Sequence, residues 1–187
     1  RCWTLEYEET NGVGFHLAYI QPEVGVGWAT LGGTLPDNAP YDDHRSGVGP
    51  QFGVGAGLEL VTLQIGGRFR GLATDKFNLW SVGGEFNYQP GSGRLWPRFG
   101  VFAGYGWATN WCPYDHCGGA SISGFQVGAR AGLQYFVSSS IELGGDITAD
   151  AMFLNRTGSL VDPALIGGGS GTGALLGGLL HLGIHLP

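Results

Sequence analysis

The feature that most constrains this chain is a two-residue alternation of apolar with small or polar side chains, repeated in successive tracts from residue 51 to residue 186. That period belongs to a strand whose two faces meet different surroundings. Phe52, Val54, Ala56, Leu58 and Leu60 oppose Gln51, Gly53, Gly55, Gly57 and Glu59. Beyond Val61 the apolar set moves to odd positions, with Leu63, Ile65 and Phe69 opposite Gln64, Gly66, Arg68 and Arg70. The slip of phase predicts a tight turn near 60–62, although neither glycine nor proline announces it. The same pattern returns in Trp80, Val82, Phe86 and Tyr88, in Phe99 to Trp107, in Phe125 to Tyr135, in Ile141 to Ala149 and in Leu176 to Leu186. Residues 13–31 supply one more strand, with a kink or bulge expected at Gln21-Pro22, because proline cannot donate to a ladder.

Eight strands of this kind suit one all-β domain, an antiparallel up-and-down transmembrane β-barrel with an even strand count and its two termini expected on the same side. Tracts of ten or so residues match the ~9–11 needed to cross a bilayer at the usual tilt. Composition points the same way. Charged residues make up 13% of the chain and only Lys76 is a lysine, against about 25% charged in a typical soluble domain. A water-facing surface so poor in charge invites aggregation, whereas a lipid-facing one has no use for charge. An apolar fraction of 43% with dispersed aromatics argues against disorder. The 37 glycines follow no three-residue period, which excludes collagen. No apolar run reaches the ~18–20 residues of a membrane helix, so a closed sheet is the remaining way to satisfy a backbone in lipid.

The connections alternate in length. Short ones fall near 60–62, 89–94 and 138–140, and long ones at 32–48, 109–123 and 154–172, with a brief exception at Thr74-Asp75-Lys76. Within the last long connection, 166–173 reads as a linker. Short periplasmic turns and longer outer loops are the rule for membrane barrels. Aromatics gather at tract ends, with Trp28, Trp80, Tyr105, Trp107 and Phe153 towards one rim and Tyr88, Trp96 and Tyr135 towards the other, as two headgroup girdles would require. A soluble barrel would instead put lysine and glutamate on its minor face, which here is mostly glycine. The start at Arg1, with no signal peptide in view, suggests a processed form.

The segment Gln89-Pro90-Gly91-Ser92-Gly93-Arg94-Leu95-Trp96-Pro97-Arg98-Phe99-Gly100-Val101-Phe102-Ala103-Gly104-Tyr105-Gly106 resembles the central hairpin of the OmpA-like outer-membrane β-barrel family. So does 124–150, a glycine-rich strand, a serine turn and a strand with alternating acidic residues. The resemblance covers about 13–187 and implies a small eight-stranded barrel in the Gram-negative outer membrane. It implies no single activity, because relatives include structural proteins, adhesins and enzymes. The chain departs from the family at its end, Gly183-Ile184-His185-Leu186-Pro187, where an aromatic residue is usual. Residues 1–12 form an extension, or an added strand: Trp3, Leu5 and Tyr7 alternate with Thr4, Glu6 and Glu8 before Asn11-Gly12, a good hairpin turn. Pairing of that segment, with a turn at Gln21-Pro22, would raise the count to ten.

The minor face forms a polar lumen set, with Glu23, Glu59, Glu85, Glu142, Asp146 and Asp150 beside Arg68, Arg70, Arg98 and Arg130. Buried charges require partners, and an eight-stranded interior is just wide enough to be filled by side chains. The expected role is therefore a salt-bridge network. A narrow channel or small-ligand cavity is the alternative, since inward glycines could leave voids. His181 and His185 share that face, with His16 as a candidate neighbour. Residues four apart on a strand lie about 13 Å apart, so one metal cannot take both directly. No serine stands beside them, and neither catalytic residues nor a cofactor are expected. Cys112 and Cys117 bracket Pro-Tyr-Asp-His, a spacing that suggests a loop disulfide in an oxidising compartment. Zinc held by Cys112, His116 and Cys117 is the rival reading. Cys2 is left over, and the acidic loop Asp37 to His44 lacks calcium-loop spacing. A formal charge of −6 without a basic cluster disfavours nucleic acid. The partners expected are outer-membrane lipids, lipopolysaccharide and a further envelope protein, met through the outer loops or the barrel wall.

Overall fold

The computed structural model describes residues 17–32, 46–91, 93–110, 121–157 and 169–186. These residues form eight strands: β1 Ala18–Thr30, β2 Ser46–Leu60, β3 Leu63–Ala73, β4 Asn78–Tyr88, β5 Leu95–Thr109, β6 Ser121–Ser138, β7 Ile141–Thr157 and β8 Gly169–Leu186. Each strand pairs antiparallel with the next, and β1 pairs with β8 to close the barrel. Closure gives every strand two neighbours, so no edge is left in the wall. A ten-stranded wall with a turn at Gln21-Pro22 is ruled out, because both residues lie inside β1, opposite Gly55 and Val54 of β2. The β1–β8 register resumes from Ile20↔Ile184 to Glu23↔His181, skipping the two residues where proline supplies no donor. Residues 1–12 lie outside the described residues.

The phase slip at 60–62 is a turn between Leu60 and Leu63. Val61 adopts φ 56 there, a conformation that costs a β-branched residue of order 1–3 kcal/mol. Asparagine tolerates it, so Val61→Asn is expected to stabilise the barrel by up to about 1 kcal/mol, as an increase in the urea midpoint of unfolding in lipid vesicles. The brief link after β3 is held by Thr74, whose Oγ1 accepts hydrogen bonds from the Lys76 and Phe77 amides at 3.2 and 3.0 Å.

At the opposite end from the 60–62 turn the strands run further than the alternation indicated. β2 begins at Ser46, β6 at Ser121, β7 continues to Thr157 and β8 begins at Gly169. The linker reading of 166–173 is therefore corrected: Gly169 to Gly173 pair with Arg156 to Met152 of β7. A Gly-Ser-Gly-Thr-Gly run carries no apolar alternation to reveal a strand, yet its backbone groups join the ladder as any others would.

Side chains alternate strictly across the wall. The outward set is apolar and exposed, with Ile147 at 73% and Leu180 at 69%, while the charged set is buried inside. This is the reverse of a soluble barrel and is the polarity a bilayer demands. Outward aromatics pack against one another near the loop end: Phe52 meets Trp80 edge-on at 5.6 Å and Phe69 stacks on it at 5.7 Å. Gly71, between Phe52 and Trp80 in the register, is covered by their rings.

Candidate functional site

The interior has three levels, and only the middle one is the expected polar lumen. Its centre is Arg68, which donates to Glu85 through Nε, to Glu23 through Nη1 and to Gln21 Oε1 at 3.0 Å through Nη2. Arg130 lies 3.1 Å from Glu23, 3.4 Å from Asp146 and 3.7 Å from Glu85. Arg98, wholly buried, donates to Gln21 Oε1 at 2.7 Å and Gln64 Oε1 at 3.0 Å and stands 3.9 Å from Asp146. Arg70 forms a forked pair with Asp150 at 2.9 and 3.2 Å, and its guanidinium sits 4.3 Å from the Phe102 ring centre. Forked guanidinium–carboxylate geometry and a ring face are the arrangements that suit arginine away from water.

Below this layer His185 joins Glu59 and Glu142, and His181 joins Glu142 and Asp146. The two histidines do not meet each other. Glu142 stands between them, with one oxygen towards each ring. Every member of the expected set, Glu59, Arg68, Arg70, Glu85, Arg98, Arg130, Glu142, Asp146, Asp150, His181 and His185, is thus placed in the lumen against an oppositely charged or ionisable partner.

The inward glycines do not leave the voids that their number suggests. A Cβ on Gly128 would fall 1.5 Å from Asp150 Oδ1, on Gly144 2.4 Å from His181 Nε2, and on Gly183 2.3 Å from Glu142 Cγ. Each of these three glycines is a slot in which an ionisable side chain from the adjacent strand lies against the wall. An enclosed space of about 10 Å³ remains among Arg68, Arg70, Glu85, Phe102, Arg130, Thr148 and Asp150, about the room one water needs.

Sequence reasoning missed Tyr19 and Gln21, and it placed Gln64 on the minor face without giving it a partner. Tyr19 is buried and donates to Glu85 Oε1 at 2.7 Å, and Gln21 Nε2 donates to Glu142 Oε1 at 2.9 Å. Tyr19 and Gln21 share the phase of Glu23, a signal hidden by reading Pro22 as a break.

The other two levels correct the expectation of a polar lumen from end to end. At the loop end, Ala29, Leu31, Leu72, Phe77, Leu79, Ala108, Ile122, Met152, Leu154 and Leu175 form a buried apolar cap. At the turn end, Trp96 and Phe136 pack edge-on at 5.4 Å, and Phe136 lies 5.4 Å from the His185 ring. Trp96 was expected in an outer girdle; it instead points inward, 2% exposed, with Nε1 donating to the Gly93 carbonyl at 2.8 Å. The cause is phase, since Trp96 is even-numbered like Arg98 and Phe102 of the same strand. Cys2, Cys112, Cys117, His16, His116 and the acidic loop lie outside the described residues, so the expected disulfide and its zinc rival do as well. Among the described residues no group of three or more His, Cys, Asp or Glu could hold a metal ion.

Comparison with solved structures finds Neisserial surface protein A at 13% identity and a TM-score of 0.64, covering 89% of this chain and 96% of that one. The outer membrane protein OprG from Pseudomonas aeruginosa matches at 8% identity and a TM-score of 0.57, covering 92% and 98%. At such identities the likeness shows the fold. No protein-family model matches the chain, and no curated protein matches it. Fold and inverted polarity together define an integral membrane β-barrel of the eight-stranded outer-membrane type. Within that class its particular character is a charged, ion-paired centre closed by an apolar cap and an aromatic base.

Proposed function

We propose that the protein is a non-enzymatic structural or partner-binding component of the Gram-negative outer membrane, acting through its outer loops or its lipid-facing wall. The observation that carries this reading is the closed interior. A solute crossing the barrel would have to part the ten-residue apolar cap, break the arginine–carboxylate pairs and displace Trp96 and Phe136. A buried charge stripped of its partner is costly, so such a path opposes transport. Outer-membrane lipids and lipopolysaccharide would surround the exposed apolar belt, and another envelope protein would meet the loops.

Reconstitution into planar bilayers tests this. No steady single-channel current is expected from the intact protein in molar salt. A reproducible unitary conductance would overturn the closed-interior reading and favour the narrow channel. Steps confined to a variant in which the cap is opened, such as Phe77→Ala with Leu79→Ala, would support it.

A further inference from the structure

The base of the charge network is a chain of five titratable groups from three strands: Glu59 on β2, Glu142 and Asp146 on β7, and His181 and His185 on β8. His185 Nδ1 lies 2.5 Å from Glu59 Oε2 and its Nε2 lies 3.3 Å from Glu142 Oε2. His181 Nε2 lies 3.6 Å from Glu142 Oε1 and its Nδ1 lies 3.1 Å from Asp146 Oδ2. All four ring nitrogens therefore face carboxylate oxygens.

An ionised carboxylate only accepts hydrogen bonds, and a neutral imidazole carries one N–H. Two neutral rings would thus supply protons to two of the four approaches and leave the other two with a nitrogen lone pair against an anion. Two further protons make each approach attractive, whether they sit on nitrogen or oxygen.

A separate count gives the same number. Among the described residues, the buried set below the apolar cap holds six carboxylates (Glu23, Glu59, Glu85, Glu142, Asp146, Asp150) and four guanidiniums (Arg68, Arg70, Arg98, Arg130), two positive charges short of neutrality. Arg156 does not enter it, because it follows Leu154 of the cap on the same face of β7. An unbalanced buried charge is heavily penalised.

Among the described residues, the remaining groups named around the chain add no further positive charge. Gln21 donates to Glu142, Tyr19 and Glu23 oppose His185 and His181 across the β1–β8 register, and Phe136 covers the His185 ring. Arg98 and Arg130 approach Asp146 and are already counted.

We propose that the Glu59–His185–Glu142–His181–Asp146 chain is a binding site for two protons, taken from solution when the barrel closes. The site makes folding a proton-consuming step, so the folded state is favoured as protons become more available. By linkage, uptake of two protons makes the unfolding equilibrium constant rise about 100-fold per pH unit wherever the unfolded histidines are neutral and the folded site keeps both protons.

The test is to fold urea-denatured chain into unbuffered phosphatidylcholine vesicles at pH 7.5 and count protons with an indicator dye. Unfolded histidines, with a pKa of about 6.5, are then mostly neutral, so the expected uptake is about two protons per barrel. Uptake near zero, or release, would overturn the proposal. The variants His181→Gln and His185→Gln are each expected to take up fewer protons. Folded variants with undiminished uptake would overturn the location. Should neither variant fold, the slope of wild-type urea stability between pH 7.5 and 8.5 decides. A slope near 100-fold per unit supports the site, and a flat profile contradicts it.

Discussion

Replacing Arg68 with alanine is expected to destabilise the folded barrel by about 3–5 kcal/mol, the cost of leaving buried charge without its partner. Arg68 is 3% exposed and holds both Glu23 and Glu85, while Glu85 also accepts from Tyr19. Its removal strands two carboxylates at the centre of the lumen, with Arg130 alone in reach of both. Urea titration in lipid vesicles, read by tryptophan fluorescence, measures the loss. Removing the two stranded carboxylates together with the arginine separates unpaired charge from lost packing. The triple variant Arg68→Met, Glu23→Gln, Glu85→Gln should retain more stability than Arg68→Ala alone, because it removes the burden along with the partner. Equal losses in the two would show that volume, rather than charge, holds the centre.

The second large effect is expected from two glycines of opposite orientation. Gly66 faces the lumen, and a Cβ there would fall 2.3 Å from the Ala56 carbonyl oxygen and 2.5 Å from the Tyr19 hydroxyl. Gly66→Ala must shift strand backbone and the Tyr19–Glu85 hydrogen bond together, at a cost of about 1–3 kcal/mol, and Gly66→Leu about 3 kcal/mol or more. Gly178 faces outward with no atom within 4 Å of its Cβ position. Gly178→Ala is expected to be neutral or to stabilise by about 0.5–1 kcal/mol, through lost freedom in the unfolded chain. Heat-modifiable migration in detergent gels gives the folded fraction of each. Equal tolerance at both positions would contradict the assigned faces.

These contrasts show what the sequence could reveal. Strand number, antiparallel order and the 60–62 turn were legible because apolar and small residues alternate with few exceptions, and because a change of parity leaves a turn as its simplest explanation. Face assignment was legible for Arg68, Arg98 and Glu142 by the same parity. Where parity was abandoned, the reading failed. Trp96 was judged by its position near a strand end, and Tyr19 was lost behind Pro22. Gly169 to Gly173 carry only the small polar side chains of Ser170 and Thr172, so no apolar alternation announces a face. The partners within the lumen were not legible at all, because they depend on the stagger between strands. Arg70 reaches Asp150 across 80 residues and Glu59 reaches His185 across 126. Parity states that these groups share an interior, and only the closed register states which of them touch. The apolar cap escaped notice for a related reason. Leu72, Leu79, Ile122, Met152, Leu154 and Leu175 come from five strands, and each looks like a local lapse in an otherwise polar face.

An apolar wall turned towards lipid and a charged interior turned away from it are what make this chain a membrane barrel. Spin labels placed singly along 145–151 of β7, in protein reconstituted into bilayers and freed of its native cysteines, test this directly through collision with oxygen and with a water-soluble nickel complex. Labels at Ile147, Ala149 and Ala151 should show high oxygen and low nickel accessibility, while labels at Asp146, Thr148 and Asp150 should be low in both, giving a two-residue period. High nickel accessibility at Ile147 and Ala149 would place that face in water and contradict the membrane barrel.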